Sequence, residues 1–313
     1  IGTAGVPASY GGLETLVEHL IESDVREFTV YCSRNHFSTH PRTYKKAELV
    51  YIPFNANGFM SVIYDCVSIF HALFSGHRKF LILGVSGAVM LPLIRLWPKV
   101  FTVTNIDGIE WRRQKWVGFA KYFLKFSEKL AVKYSSVVVV DNEAIGQYVD
   151  ENYHKVSESI AYGGDHALIP LVDNSLLSSL DIDYPYSLSL CRIEPENNVH
   201  LILEAFSRTY KNIIFIGNWH SSGYGRKLKI LFSGIPNIRL LDPIYDVQTL
   251  SLYIANCDSY VHGHSAGGTN PSLVEMMHFD KPVIAFDCVF NRATTEGNGL
   301  FFDTTTSLIN IIS

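Results

Sequence analysis

The sequence predicts an α/β protein made of two halves in tandem, each a parallel sheet covered by helices on both faces. Three observations predict it. Strand candidates such as SVVVVD (136–141) and NIIFIG (212–217) are continuous apolar runs, the pattern of strands buried on both faces. Between such runs lie amphipathic stretches with apolar residues at helical spacing, as at Leu13, Leu16, Val17 and Leu20. The alternation breaks once, at the loop-rich segment 160–185, and then restarts. This divides the chain into domains 1–163 and 164–313, with ligands expected in a cleft between them, beyond the C-terminal ends of the strands.

The elements follow in order. Leu13–Ile21 reads as a helix, EFTVYC (27–32) as a strand, and a polar loop to Lys46 leads into ELVYIPF (48–54), a second strand. A helix over 61–75, strand KFLILG (79–84), a helix across 87–96 and strand KVFTVTN (99–105) come next. A long helix over 116–134, strand 136–141 and a short helix over 142–153 complete the first half. In the second half strands are expected at 186–191, 212–217, 237–242, 258–263 and 281–287. Helices fall between them at 198–209, 225–232, 247–256 and 272–278, and the closing SLINIIS also reads as helix. The glycine-rich turn from Gly2 to Gly12 normally follows a buried strand, of which only Ile1 and Gly2 remain, so further residues are expected before it.

Composition bounds the class. A chain of 313 residues with 47% hydrophobic and 18% charged residues is globular and long enough for two domains. Its five cysteines show no paired spacing, which fits a reducing cytoplasm and gives no disulfide framework or metal site. The most apolar run, Phe80–Ile94, is interrupted by Gly84, Gly87 and Pro92 and is too short to span a membrane. Charge is uneven: Arg112–Lys133 holds seven basic residues against one Glu, a net of +6 in a chain of net −4, so the remainder carries −10. With Lys121, Lys125, Lys129 and Lys133 at i+4 spacing beside several aromatics, this is either a solvated helix face or a surface for anionic lipid or a diphosphate-bearing partner. No nucleic-acid partner is expected.

The stretch HGHSAGGTNPSLVEMM, from His262, carries the most chemistry. Gly267 and Gly268 let backbone amides approach a ligand, Asn270 can cap a helix and Pro271 suits its first position. The helix then opens at Ser272 with unpaired N–H groups, an anion seat, and Glu275 on the loop-proximal face can accept from sugar hydroxyls. A capped helix with a dipole-stabilising Glu would look the same. Arg192 follows a strand and precedes a helix, where a guanidinium can reach a diphosphate or serve a structural role. In the first half, Tyr10, Gly11 and Gly12 belong to GVPASYGGLET, a phosphate or sugar cradle or simply a tight turn. NIDGIEWRRQKW places Asp107 and Glu110 beside Trp111, which suggests hydroxyl binding or proton transfer with sugar stacking, or else a helix start with a charge run. Asp181 and Asp183 form a DxD pair in the polar interdomain loop, a weak metal signature there.

Taken together, GVPASYGGLET, NIDGIEWRRQKW, RIEPENN and GGTNPSLVEMM resemble the GT-B-fold retaining glycosyltransferase family 4, in particular a bacterial rhamnosyltransferase-like subgroup that assembles capsule and exopolysaccharide repeat units. The resemblance implies two Rossmann-like domains facing each other across a cleft. It implies a nucleotide-sugar donor, plausibly dTDP-rhamnose, held mainly by the C-terminal domain, no cofactor and no metal, and retention at the anomeric carbon. The acceptor would be a saccharide on a polyprenyl diphosphate, at the cytoplasmic face of the cell membrane. Arg192 matches the family's diphosphate-binding Arg and Glu275 the second Glu of its E-x7-E motif. Catalysis then falls to Asp107 and Arg192, donor binding to Gly11, Gly12, Arg192, Asn197, Gly267, Gly268, Asn270, Ser272 and Glu275, and acceptor binding to Tyr10, Asp107, Glu110 and Trp111. The chain departs from the pattern where Gly267 stands for the first Glu, Asn197 for the usual Lys, and Ala4 within the subgroup's GTRG turn. Those departures leave two other readings open: a GT-B enzyme of soluble sugars such as a nucleotide-sugar 2-epimerase, or a non-catalytic sugar-nucleotide-binding partner.

Overall fold

The structure, a computed structural model, describes residues 1–8, 11–23, 26–113, 116–167, 180, 182 and 184–313. It forms two compact units, Ile1–Ile160 and Ala161–Ser313.

In the first unit the order is α1 (Gly12–Ser23), β1 (Phe28–Ser33), β2 (Thr43–Tyr44), β3 (Ala47–Ile52), α2 (Met60–Phe74), β4 (Lys79–Leu83) and α3 (Leu91–Ile94). It continues with β5 (Phe101–Asn105), α4 (Phe119–Tyr134), β6 (Val137–Val140), α5 (Glu143–Tyr153) and β7 (Glu158–Ser159). β1 and β3 pair in parallel with β2 antiparallel at the edge, while β4, β5, β6 and β7 form a parallel sheet in chain order. The opening residues join the two sheets: Leu83 N–H donates to the Ile1 carbonyl at 2.9 Å, and Ser33 N–H to the Ala4 carbonyl at 2.9 Å. That seam is too tight for side chains. A Cβ on Gly2 would lie 1.9 Å from the Leu83 oxygen, and one on Gly5 2.5 Å from Cys32 Sγ, both at positive φ.

Two helices differ from the sequence expectation. The helix expected over 87–96 is a 3-10 turn, Ser86–Met90, followed by the single turn of α3. Gly87 lies so close to α2 that a Cβ would meet Asp65 Cβ at 2.8 Å, and Pro92 denies a donor to any longer helix. The helix expected from Trp116 starts only at Phe119, because Gly118 turns the chain with φ 55; Glu110–Arg112 forms a separate 3-10 turn.

The second unit runs β8 (Ser187–Leu190), α6 (Val199–Ser207), β9 (Ile213–Ile216), α7 (Gly223–Phe232), β10 (Ile238–Leu241), α8 (Val247–Ala255) and β11 (Ser259–His262). Then come α9 (Pro271–Met277), β12 (Val283–Phe286), α10 (Val289–Thr294), β13 (Leu300–Phe302) and α11 (Thr305–Ile312). All six strands are parallel, in the order β10-β9-β8-β11-β12-β13. The four residues of β9 show why continuous apolar strands read correctly. Ile213 and Phe215 enter one core with α6 and α11, while Ile214 and Ile216 enter the other with α8 and α9. α10 and β13 escaped the sequence reading because NRATTEGNGLFFD is too polar to show a period.

Trp219 is fully buried beneath this sheet, edge-on to Phe215, with its indole N–H donating to the Leu241 carbonyl at 2.8 Å. Truncation to Ala leaves a large cavity and removes one of the two donors to the Leu241 carbonyl, which keeps the Gly217 N–H at 3.0 Å. We therefore expect Trp219→Ala to lose about 3–5 kcal/mol of unfolding free energy, measured by urea denaturation. Wild-type stability in that variant would show that the second core is not organised around this residue.

Candidate functional site

In a parallel sheet the loops that leave the C-terminal strand ends open a crevice where the strand order reverses. In the second unit that point lies between β8 and β11, since β9 and β10 extend to one side and β12 and β13 to the other. α6 packs into one core and α9 into the opposite one, so the two helices leave the crevice uncovered on either face. The loops that begin there carry Arg192 and the glycine turn after His262.

Hydrogen bonds sew these two loops together. Asn197 is buried in a 3-10 turn, Pro195–Asn197. Its Nδ2 donates to the Arg192 carbonyl at 2.6 Å, which fixes the amide orientation and makes Oδ1 the acceptor for His264 Nδ1–H at 2.7 Å. Asn198, at φ 48, donates from Nδ2 to the Gly263 carbonyl at 2.9 Å. Ser265 donates from N–H (3.0 Å) and Oγ–H (2.7 Å) to the Glu196 carbonyl. Asn291 of α10 braces the far side by donating from Nδ2 to the His264 and Phe286 carbonyls, each at 2.8 Å. Gly263 has no alternative, since a Cβ there would sit 2.1 Å from the Asn197 carbonyl oxygen.

Held this way, the Arg192 guanidinium is 48% exposed and lies 3.9 Å from Glu194, a loose pairing that leaves it open to solvent. The N–H groups of Ala266, Gly267 and Gly268 donate to no protein atom among the described residues, and Gly267 has φ 101. The Nε2 of His264 lies 3.4 Å from where a Cβ on Gly267 would be. The start of α9 differs from the expectation. Pro271 has no N–H, Ser272 N–H is taken by the Asn270 side chain at 3.1 Å, and Leu273 and Val274 N–H donate to the Asn270 carbonyl at 3.0 and 3.3 Å. The unpaired donors are therefore those of the glycine turn, and the helix start is closed by its own cap. Ser272 Oγ–H also donates to Asn270 Oδ1 at 2.7 Å and lies 3.2 Å from Tyr260 OH. Glu275 is half-buried in the second turn of α9. Asn197 is likewise placed otherwise than a donor-binding side chain, because both ends of its amide serve the clasp.

Beneath the clasp sits His262, fully buried, with Nδ1 3.3 Å from Tyr260 OH. Burial, with His264 adjacent, holds its imidazole down at about 3.

In the first unit, the loop after β5 is organised internally. Asp107 N–H donates to Asn105 Oδ1 at 2.9 Å, and Asp107 and Gly108 both take positive φ, so the chain reverses at the strand end with Asp107 half-buried. Glu110, expected to bind acceptor, is engaged on both oxygens: Trp116 Nε1–H donates to Oε1 at 2.8 Å and Arg113 to Oε2 at 3.3 Å. Trp111 donates from Nε1–H to Glu128 Oε1 at 3.3 Å, and Arg112, Lys121 and Lys125 stand over its ring at 5.3, 5.6 and 4.7 Å. A ring so covered holds the loop to α4 and is not an open stacking platform. Glu128, which the sequence reading missed, is the anchor. Tyr148 and Tyr153 also donate to its Oε1, at 2.7 and 2.6 Å, and burial pushes its carboxyl above the usual range against those donors. Near Gly11 and Gly12 the missed residue is Glu14, buried at the start of α1 and accepting from Ala4 N–H at 2.8 Å. Tyr10, Asp181 and Asp183 lie outside the described residues, as do Gln114 and Lys115 of the Trp111 loop.

Two α/β units built on mainly parallel sheets, the second with its outgoing loops clasped at the topological switch point, define a GT-B fold. Solved structures agree. A sucrose-phosphate synthase from Thermosynechococcus elongatus superposes with TM-score 0.80 at 13% identity, covering 96% of this chain and 83% of that one. The trehalose 6-phosphate synthase of Burkholderia multivorans gives 0.70 at 10% identity (98% and 85%), and Anabaena HepE, solved in complex with UDP, 0.61 at 17% (86% and 76%). At these identities the likeness is one of fold. Residues 1–165 match the family described as "Domain of unknown function (DUF1972)", and the chain belongs to it. No curated protein matches the sequence.

Two outcomes follow from the clasp. Asn197→Leu removes the acceptor of the buried His264 Nδ1–H, while the Arg192 carbonyl keeps the Glu194 N–H at 2.9 Å, and should cost about 1–3 kcal/mol in chemical denaturation; an unchanged midpoint would show that the loops are held otherwise. His262 sets a pH dependence. The unfolded chain takes up its proton as pH falls through about 6.5, whereas the folded chain does so only near 3. Stability should thus fall across that window, and His262→Gln should flatten the fall in melting temperature.

Proposed function

We propose that the protein is a glycosyltransferase that takes a nucleotide-activated sugar at the crevice of its second unit. The observation that carries this reading is that the two loops clasped together at the switch point between β8 and β11 bear a solvent-open guanidinium, Arg192, and a glycine turn whose N–H groups donate to no protein atom among the described residues. Breaking the bond from sugar to diphosphate develops charge on the leaving phosphate. Fixed donors there stabilise it more in the transition state than in the ground state. Arg192 acts as the charge that a divalent cation would otherwise supply, so transfer is metal-independent. Glu275 orients the nucleotide by accepting from its ribose hydroxyls. Following the sequence resemblance, transfer proceeds with retention by front-face attack, with Asp107 orienting the acceptor hydroxyl.

The finer assignment follows the sequence resemblance: dTDP-rhamnose as donor and a polyprenyl-diphosphate-linked saccharide as acceptor, in surface polysaccharide synthesis at the inner face of the cell membrane. α4 supports a peripheral attachment, because Phe119, Tyr122 and Phe126 are exposed on it beside Lys129. No helix among the described residues is long and apolar enough to cross a membrane.

A thermal-shift panel of nucleotide sugars names the donor: a ligand at about 100 times its dissociation constant adds about 2.7 kcal/mol of stability. With that donor, Arg192→Ala should lower kcat by roughly 10²-fold or more and Glu275→Gln should weaken nucleotide binding, while EDTA leaves the rate unchanged. Wild-type kinetics in both variants would remove the assignment, and strict dependence on Mg²⁺ would overturn the role given to Arg192.

A further inference from the structure

The first unit carries a second concentration of positive charge that the transferase reading does not use. At the N-terminal ends of β5 and β6 a concavity of about 740 Å³ is lined by Arg95, Lys99, Lys133 and Lys155, with Trp97 and Tyr134 among its walls and no Asp or Glu. Asp107 lies two residues beyond the end of β5, so the two places are separated by at least the strand's five residues, roughly 17 Å at 3.3 Å each.

Part of this charge has a structural use. Arg95 Nη1 donates to the Tyr134 carbonyl at 3.4 Å and Lys155 Nζ to the Ser135 carbonyl at 3.0 Å, at the C-terminal end of α4. A helix C-terminus, however, presents only about half a negative charge. Four full cations overcompensate it, and no carboxylate among the lining residues makes up the difference. The excess has effects of its own: burial and the neighbouring Arg95 hold the Lys155 ammonium below its ordinary range. Lys99 stands at φ 62, a conformation that costs a non-glycine residue about 1 kcal/mol and that glycine would take freely. Beside the cations lies exposed apolar surface: Leu96 at 82% exposure, and Trp97 edge-on to the exposed Phe74 at 5.8 Å.

We propose that this concavity is a binding site for a phosphate-bearing anion, a lipid phosphate headgroup or a free di- or monophosphate, separate from the nucleotide-sugar site. The cations supply charge and several N–H donors apiece, Ser135 and Ser136 border them, and the apolar rim matches the boundary where a headgroup meets its chains. The site does not depend on the transferase reading.

The test uses the whole chain and two probes, pyrophosphate followed by calorimetry and phosphatidylcholine vesicles with or without phosphatidic acid followed by sedimentation. Because Arg95 and Lys155 also hold backbone carbonyls, the informative variant is Lys99→Gln/Lys133→Gln, with its fold checked by circular dichroism. Lys121→Gln/Lys125→Gln, on α4 outside the concavity, is the pyrophosphate control. The expected result is that wild type and control bind pyrophosphate alike, while the Lys99/Lys133 variant binds roughly tenfold more weakly, about 1.4 kcal/mol. Sedimentation with phosphatidic acid vesicles that the same variant loses identifies the lipid source; pyrophosphate binding without vesicle binding identifies a free phosphate. The proposal is overturned if wild type binds neither probe, if the variant binds as wild type does, or if a nucleotide sugar displaces pyrophosphate. A protein that binds pyrophosphate here yet no nucleotide sugar would sink the transferase reading and leave this site standing.

Discussion

The contact on which the second unit's chemistry depends is the approach of two backbones, at Gly263 and Asn197. They lie so close that one methyl group on Gly263 would fall 2.1 Å from a carbonyl oxygen. β8 and β11 are neighbours, yet the helices that follow them enter opposite cores, so their outgoing loops must pass each other before diverging. Glycine lets them pass, and Asn197, Asn198 and Ser265 turn the crossing into a hydrogen-bonded clasp. Arg192 is half-exposed because its own carbonyl, and not its side chain, is what the clasp holds. The backbone is thus fixed while the guanidinium, loosely paired with Glu194, stays open to solvent.

This geometry also links two of the three positions at which the sequence departs from the resemblance. Asn197 and Gly267 are far apart along the chain, but His264 touches both, through Nδ1 to Asn197 and with Nε2 facing the glycine turn. At position 197 a neutral amide sets the tautomer of the His264 imidazole. A side chain at 267 would have to accept φ 101, with its Cβ 3.4 Å from His264 Nε2.

What the sequence made legible follows from which forces act locally. Strands were read from runs such as VVVV and IIFI because burial on both faces leaves no polar residue to confuse the pattern. The helix at 87–96 was misread because what interrupts it, the approach of Gly87 to Asp65, joins residues distant in sequence. Arg192, Gly267 and Asn270 were legible as motif residues. The closed start of α9 was not, since whether a cap leaves donors for a ligand depends on where one carbonyl, that of Asn270, points. Glu14, Glu128 and Asn291 carried no local signal at all; each is a buried polar group whose partners come from other elements.

The basic segment 112–133 shows how far charge counting alone can go. As a number it is a +6 stretch, and as a helical wheel it is a stripe of lysines. In three dimensions its members part company: Arg113 pairs with Glu110, Arg112, Lys121 and Lys125 close over Trp111, and Lys133 turns to the concavity at the far end of β5. Each cation–π contact contributes only about 0.5–1 kcal/mol at an exposed site, so what this arrangement secures is the placing of the loop that carries Asp107 more than the stability of the fold. In the concavity Lys133 joins Arg95, Lys99 and Lys155, which come from outside the segment, so that four cations face the half charge of one helix C-terminus. One helix thus serves both ends of its unit, fastening the loop at one and gathering positive charge at the other.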